Sequence, residues 1–323
     1  MGAAPPRPGP ESDCARRSPL KRVALPRAIP FDEDSLADAP ATIEHVSDTA
    51  RWVALYRAME SERPDALFHD PYARRLAGKR GEQVLAGMPK GKAFAWPMIV
   101  RTAVMDELIL RAIERDGVDT VLNLAAGLDT RPYRLPLPPS LRWIEVDFPD
   151  VVAYKKEQLA GERPVTALEH VGVDLTDQDR RRALFARVGS SARQVLVVSE
   201  GLLIYLAPEQ VATLAADLAS PSTFRWWLID LGSPGLLKMI EKSWGPILAA
   251  GNAPFRFAPA EGTRFFEPHG WREAEFRSTW DESIRLKRSM RGAWLWSLIG
   301  RFMPKAKREE GRRFSGIVML QRR

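Results

Sequence analysis

One cysteine, Cys14, and four histidines, His45, His69, His170 and His269, are all that the 323 residues offer in thiol and imidazole chemistry. A lone cysteine closes no internal disulfide. The histidines sit at no H-E-x-x-H or Cys/His ligand spacing, so no metal site is expected. No apolar run approaches the roughly 18 residues of a bilayer span; the longest candidate is the short stretch from Ala293 to Gly300. The G-x-S-x-G elbow of the α/β-hydrolases is missing, as is the full G-x-G-x-x-G dinucleotide fingerprint. No internal repeat suggests a solenoid or a propeller.

What remains is a chain with 45% apolar residues, enough to bury a full core. Seven prolines crowd the first 30 residues, which contain no apolar stretch of signal-peptide length. Residues 1–40 therefore read as a disordered basic tail and the protein as cytoplasmic, with the body at 41–323. The net charge of +7 is uneven: residues 1–30 hold six basic and two acidic side chains, and residues 285–313 hold ten and two. The rest is mildly acidic, which argues against a nucleic-acid enzyme with a cationic active face. The two basic ends read either as solvated charge or as contact with an acidic partner or an anionic membrane surface.

Within the body, Trp52, Val53, Leu55, Tyr56 and Met59 recur at helical spacing after the cap-type residues Ser47, Asp48 and Thr49, until Arg63-Pro64 ends the run. Two short helical stretches follow near Pro71 to Ala77 and Glu82 to Ala86, then a stronger one from Val100 to Arg115. From Asp119 short apolar runs alternate with helical ones. Strands are expected at 120–124, 141–146, 165–171, 194–199 and 224–229, with helices at 151–160, 178–188 and 209–219 between them. Such alternation predicts a doubly wound α/β fold with a mostly parallel sheet. Two late strands, 274–279 and 314–321, bring the count to seven and suggest an antiparallel edge. Residues 231–273, rich in Trp, Phe, Pro and Gly, read as a lid or acceptor region.

In an open parallel sheet, ligands bind beyond the carboxyl ends of the strands, so the residues that follow strands carry the functional information. After the first strand comes Ala125-Ala-Gly-Leu-Asp-Thr-Arg131, a small-residue turn that lets the backbone approach a ligand. After the second comes Glu145-Val-Asp147, whose carboxylates can accept paired ribose hydroxyls. Asp174-Leu175 follows the third and can meet an adenine. Glu200 follows the fourth. With Gly127 the only glycine in its turn, a nucleoside ligand without a pyrophosphate is favoured over a dinucleotide. A nicotinamide-dependent oxidoreductase and a non-catalytic binding protein remain alternatives.

Taken in order, Asp70-Pro71, Arg101-Thr102, Leu124-Ala-Ala-Gly-Leu-Asp-Thr-Arg131, Trp143-Ile-Glu-Val-Asp-Phe-Pro149, Val173-Asp-Leu175 and Ser199-Glu-Gly-Leu-Leu-Ile-Tyr-Leu206 resemble the leucine carboxyl methyltransferase family. The resemblance covers about residues 41–323. It departs at Ala125, where the family usually has glycine. It implies an S-adenosylmethionine-dependent enzyme in which Arg101 pairs with the methionyl carboxylate and Gly127 lines the cofactor. Asp147 would hold the ribose, Asp174 and Leu175 the adenine, and Glu200 would lie near the methionyl amine. Arg57 is a candidate second carboxylate clamp, and Tyr205 the candidate nearest the acceptor. Each has a structural alternative: Asp129 with Arg131 as a turn pair, Asp174 as a helix cap, Glu200 as an ion-paired strand end, and Tyr205 as core.

An ionised carboxylate acceptor needs no base, whereas a hydroxyl does. The motifs contain no catalytic His or Lys, which leans toward a carboxylate on a small molecule or peptide and leaves a hydroxyl open. On the charge distribution and the histidine spacing, neither a nucleic-acid partner nor a metal is expected, and the oligomeric state is not legible.

Overall fold

The structure, a computed structural model, describes residues 1–2, 46–88, 91–250, 254–290, 292, 293, 295, 298 and 303–323. The expected tail at residues 1–40, with Cys14 and His45, lies outside the described residues apart from its first two positions.

Three helices precede the sheet. α1 (Val46–Ser61) and α2 (Ala73–Gly87) pack against one another. α2 kinks at Gly78, whose φ of 58° a side chain would resist, so the two short expected stretches are the two arms of one bent helix. α3 (Ala95–Arg115) starts one turn earlier than its apolar periodicity suggests and buries Val100, Val104, Leu108 and Ile109 at helical spacing.

Seven strands then form one sheet: β1 (Thr120–Leu124), β2 (Arg142–Asp147), β3 (Ala167–Gly172), β4 (Val195–Ser199), β5 (Phe224–Gly232), β6 (Trp271–Ser278) and β7 (Ser315–Arg322). Their order is β3-β2-β1-β4-β5-β7-β6. Pairing is parallel from β3 across to β5, and β7 runs antiparallel to both its neighbours. The late pair thus supplies the expected antiparallel pairing at one end of a mixed sheet, with β7 inside and β6 at the edge. β7 earns an interior place because its Ile317 to Leu320 run is buried on both faces.

Connecting helices α4 (Arg131–Arg134), α5 (Pro149–Gln158), α6 (Gln178–Ser191) and α7 (Pro208–Ala219) complete the alternation. Pro149 and Pro208 occupy first turns, where a missing N–H costs nothing. Asp177 caps α6 by accepting from the Arg180 amide at 3.1 Å. α8 (Pro234–Ala250) follows β5, α9 (Thr279–Arg285) follows β6, and a short helix Lys305–Arg312 precedes β7.

Strand alternation divides the core. Val195 and Val197 face one layer with Leu184, Leu214 and Trp227, while Leu196 and Val198 face the other with Val104, Leu108 and Trp143. A third cluster, Trp52, Leu55, Tyr56, Leu76 and Trp244 among it, fills the helical cap above the sheet.

At the β6 edge, Trp271 is fully buried, meets Trp227 edge-on at 5.5 Å and donates its indole N–H to the Ala215 carbonyl at 2.9 Å. Trp271→Ala is expected to cost about 3–5 kcal/mol, read as a lowered urea midpoint at unchanged slope. A loss below about 1 kcal/mol would show that the edge is not part of the cooperative core.

Candidate active site

Strand order reverses between β1 and β4, so the loops leaving them diverge and open a cleft at the carboxyl ends. A cavity of about 950 Å³ lies there. Arg57, Arg101, Gly127, Asp147, Asp174, Leu175, Glu200 and Tyr205 all line it. The structure therefore brings all eight expected residues to one cavity, although not every one is free to act as the resemblance implies.

The β1 turn is shaped by two left-handed residues, Ala125 at φ 50° and Gly127 at φ 51°. Alanine is uncommon in that region because its Cβ crowds the following carbonyl, so the turn stores strain at Ala125. It aims the Gly127 N–H at Asp147 Oδ2, 2.6 Å away, while Oδ1 accepts from the Phe148 N–H at 2.7 Å. A carboxylate has further lone pairs on each oxygen, so Asp147 remains an acceptor for a pair of hydroxyls. Burial pushes its pKa up to about 6, more than the two N–H groups pull it down. Glu145 is different. It is buried below the turn, where Lys155 Nζ holds it at 2.6 Å and His170 Nδ1 lies 3.2 Å away. Of the two carboxylates on β2, only Asp147 reaches the cavity wall.

The floor is an ionic lattice. Arg101 lies inside α3 rather than at its start, and donates Nε to Glu200 Oε1 at 2.9 Å and a terminal nitrogen to Asp230 Oδ2 at 3.0 Å. Asp230 Oδ1 accepts from the Gly201 N–H at 2.7 Å. Arg131, with 2% of its surface exposed, reaches Asp106 at 2.6 Å, Asp129 at 2.8 Å and the other oxygen of Glu200 at 2.7 Å. Asn123 Nδ2 also donates to Asp129 at 2.8 Å, and Arg134 pairs with Asp106 at 2.7 Å. Neighbouring guanidiniums hold Asp129 and Glu200 below the ordinary carboxylate range, against the pull of desolvation. Asp129 and Arg131 thus form the turn pair that was the structural alternative. Glu200 is likewise an ion-paired strand end, yet it faces the cavity.

Arg57 is committed as well, with Nε on Asp70 at 2.8 Å and a terminal nitrogen on the Leu128 carbonyl at 2.5 Å. Asp174 folds onto Thr176, accepting from its N–H and its hydroxyl, both at 2.8 Å; the helix cap nearby is Asp177 instead. The Leu175 carbonyl accepts from Arg181 at 2.7 Å. Tyr205, in a 3₁₀ turn Leu203–Tyr205, packs edge-on to Phe255 at 5.2 Å. Burial raises its hydroxyl pKa, against a hydrogen bond with Thr49.

Sequence reasoning missed Asp230, Asn123 and Asp106. Asp230 could have been found, since it directly follows the expected strand 224–229, although β5 runs on through it to Gly232; Asp106 is hidden in a helical repeat. The aromatic region from Trp226 to Trp271 divides: Trp227, Phe266 and Trp271 pack in the core, while Trp244, Phe255 and Phe257 line the cavity. Leu236, Met239, Ile240, Ser243 and Trp244 present one face of α8 to it.

The model of the leucine carboxyl methyltransferase family matches residues 50–219. A Streptomyces coelicolor protein named "Putative S-adenosyl-L-methionine-dependent methyltransferase" is 33% identical over 253 residues, 75% of this chain and 88% of its own length. One of the same description from Mycobacterium sp. strain KMS is 36% identical over 251 residues, 70% of this chain and 82% of its own. Among solved structures, a DUF574 family protein from Streptomyces avermitilis superposes with a TM-score of 0.54 at 14% identity, over 85% of this chain and 97% of that one. This last likeness concerns the fold.

Removing the Arg131 guanidinium leaves three buried carboxylates short of a partner, so Arg131→Met is expected to lose about 3–5 kcal/mol of stability at neutral pH. Lysine cannot reproduce the fork, and Arg131→Lys should recover little of it. Carboxylates with lowered folded pKa contribute stability above their unfolded pKa and lose it as pH falls. The deficit should therefore shrink in acid, as seen in urea titrations at several pH values. A variant as stable as the parent at pH 7 would show the lattice to be solvated.

Proposed function

The chain belongs to the leucine carboxyl methyltransferase family and is an S-adenosylmethionine-dependent methyltransferase, and from that premise we propose how its cleft holds the cofactor and what it methylates. Bound there, S-adenosylmethionine supplies an electrophilic methyl group on a sulfonium whose departure as a thioether needs no protonation.

The donor set fits. The left-handed turn at Gly127 exposes backbone where a Cβ would meet Ala50 at 3.3 Å, and Asp147 beside it keeps lone pairs for the ribose hydroxyls. Asp174 and Leu175 sit at the adenine end. Glu200 and Asp230 supply negative charge for the methionyl ammonium, and Arg101 between them supplies the positive partner for its carboxylate. To take that role Arg101 has to share its fork with the ligand, since both its partners are already protein carboxylates. Arg57 is better read as a strut joining α1, Asp70 and the β1 turn.

The acceptor is proposed to be an ionised carboxylate on an apolar molecule. One observation carries this: no histidine and no lysine lines the cavity among the described residues, and Tyr205 is held protonated by burial. A hydroxyl would find neither a histidine nor a lysine as its base, whereas a carboxylate arrives as a nucleophile. Trp52, Phe94, Trp96, Trp244 and Phe255 give the outer cavity an apolar wall that excludes water from the transfer and aligns the acceptor. Tyr205 acts by position, between that wall and the lattice. The apolar face of α8 fits the role of a lid.

Two measurements test this reading. Asp147→Ala should weaken S-adenosylhomocysteine binding at least about tenfold in calorimetric titration, through the loss of hydrogen bonds to a charged group. In the parent, affinity should fall as pH drops through about 6, where Asp147 gains its proton, while Asp147→Asn should lack that slope. Unchanged affinity in the alanine variant would remove Asp147 from the ribose. Second, methyl label transferred to acceptor should be released as a volatile product by mild alkali, as an ester requires. Alkali-stable label would identify an ether or amine product instead.

A further inference from the structure

Large apolar side chains exposed to solvent are unevenly placed. Of the nine among the described residues, six fall within residues 284–314. Leu295 and Leu298 each expose 46% of their surface and Met303 exposes 41%. Scattered singly such residues need no explanation, but a concentration marks a contact surface. The same stretch is the most basic of the chain, with ten basic against two acidic side chains in residues 285–313. Arg312 and Arg313 are paired with Asp281 and Glu273, whereas Lys305, Lys307 and Arg308 are exposed in the short helix without an ion-pair partner among the described residues.

The surface also adjoins the cavity. Met239, Met290 and Phe314 are at once exposed to solvent and part of the cavity lining, so they mark its mouth. We propose that the surface around Leu295, Leu298, Met303, Lys305, Lys307 and Arg308 docks on an anionic lipid bilayer, setting the mouth of the cavity against the membrane. Apolar side chains beside unpaired cations are the chemistry of an interfacial contact: the former enter the headgroup boundary and the latter hold lipid phosphates. A nucleic acid would use the cations and leave the apolar side chains unsatisfied; an acidic protein would not require the cavity mouth beside them. An acceptor soluble in the bilayer would reach the apolar outer cavity without crossing water. That last step rests on the acceptor reading above, while the docking itself does not.

The full chain is tested by sedimentation with vesicles of neutral phosphatidylcholine alone or mixed with phosphatidylglycerol. Binding is expected only with the anionic vesicles, and it should weaken with added salt. Reversing three charges in Lys305→Glu/Lys307→Glu/Arg308→Glu should lower the partition constant by about 100-fold or more, at about fivefold per basic residue. Leu295→Asn/Leu298→Asn should lower it at unchanged charge. Both variants should bind S-adenosylhomocysteine as the parent does, which separates failure of docking from failure of the cleft. Absence of sedimentation with anionic vesicles overturns the proposal. So does equal binding of parent and charge-reversed protein, or loss in the charge variant with none in the leucine variant, the last being the pattern of a purely electrostatic partner.

Discussion

Arg131 has almost no contact with water, and a guanidinium stripped of hydration costs several kcal/mol unless carboxylates surround it in good geometry. Three do: Asp106 from α3, Asp129 from the β1 turn and Glu200 from the end of β4. Each of these in turn requires its own second partner, which Arg134, Asn123 and Arg101 provide. The helical cap, the first strand and the fourth are thereby fixed relative to one another by charge rather than by the apolar core alone. The cleft floor inherits this rigidity, and so does the ring of groups that would meet a zwitterionic amino-acid end.

Above the floor the chemistry changes. The end proposed for the ribose rests on a single carboxylate that accepts from two backbone amides, and the outer cavity on aromatic rings from three separate parts of the chain. Charge concentrates on the floor of the cavity, and apolar surface on its outer wall. The strain at Ala125 sits at the join between the two, in the turn that sets the position of Gly127.

Much of this was legible in the residues. The alternation of short apolar runs with helical ones located the start of each parallel strand to within two residues, though β5 runs three residues past its expected end; the signal is plainest in β1 and β4, which are buried along their whole length and continuously or nearly continuously apolar. The strand-end residues Asp147, Asp174 and Glu200 were findable as cavity lining because a parallel sheet opens its cleft at that end. The interior place of β7 was not, since sequence order says nothing of which gap a late strand fills. The lattice around Asp106 was equally hidden: a carboxylate inside a helical pattern reads as solvated until its arginines, 25 and 28 residues later, are seen to fold back on it. Arg101 and Arg57 looked free for a ligand for the same reason, their protein partners being distant in sequence.

The interior position of β7 has a consequence for how the chain folds. β5 ends at Gly232 and β6 at Ser278, yet the strand that joins them does not begin until Ser315. Without β7, β5, which carries Trp226, Trp227 and Leu228, loses the partner on one of its edges, and β6 loses its only partner in the sheet. Open apolar edges of that kind recruit other chains. The last strand in the sequence therefore covers the edge most prone to aggregation, and pairing of β7 is the step that protects it.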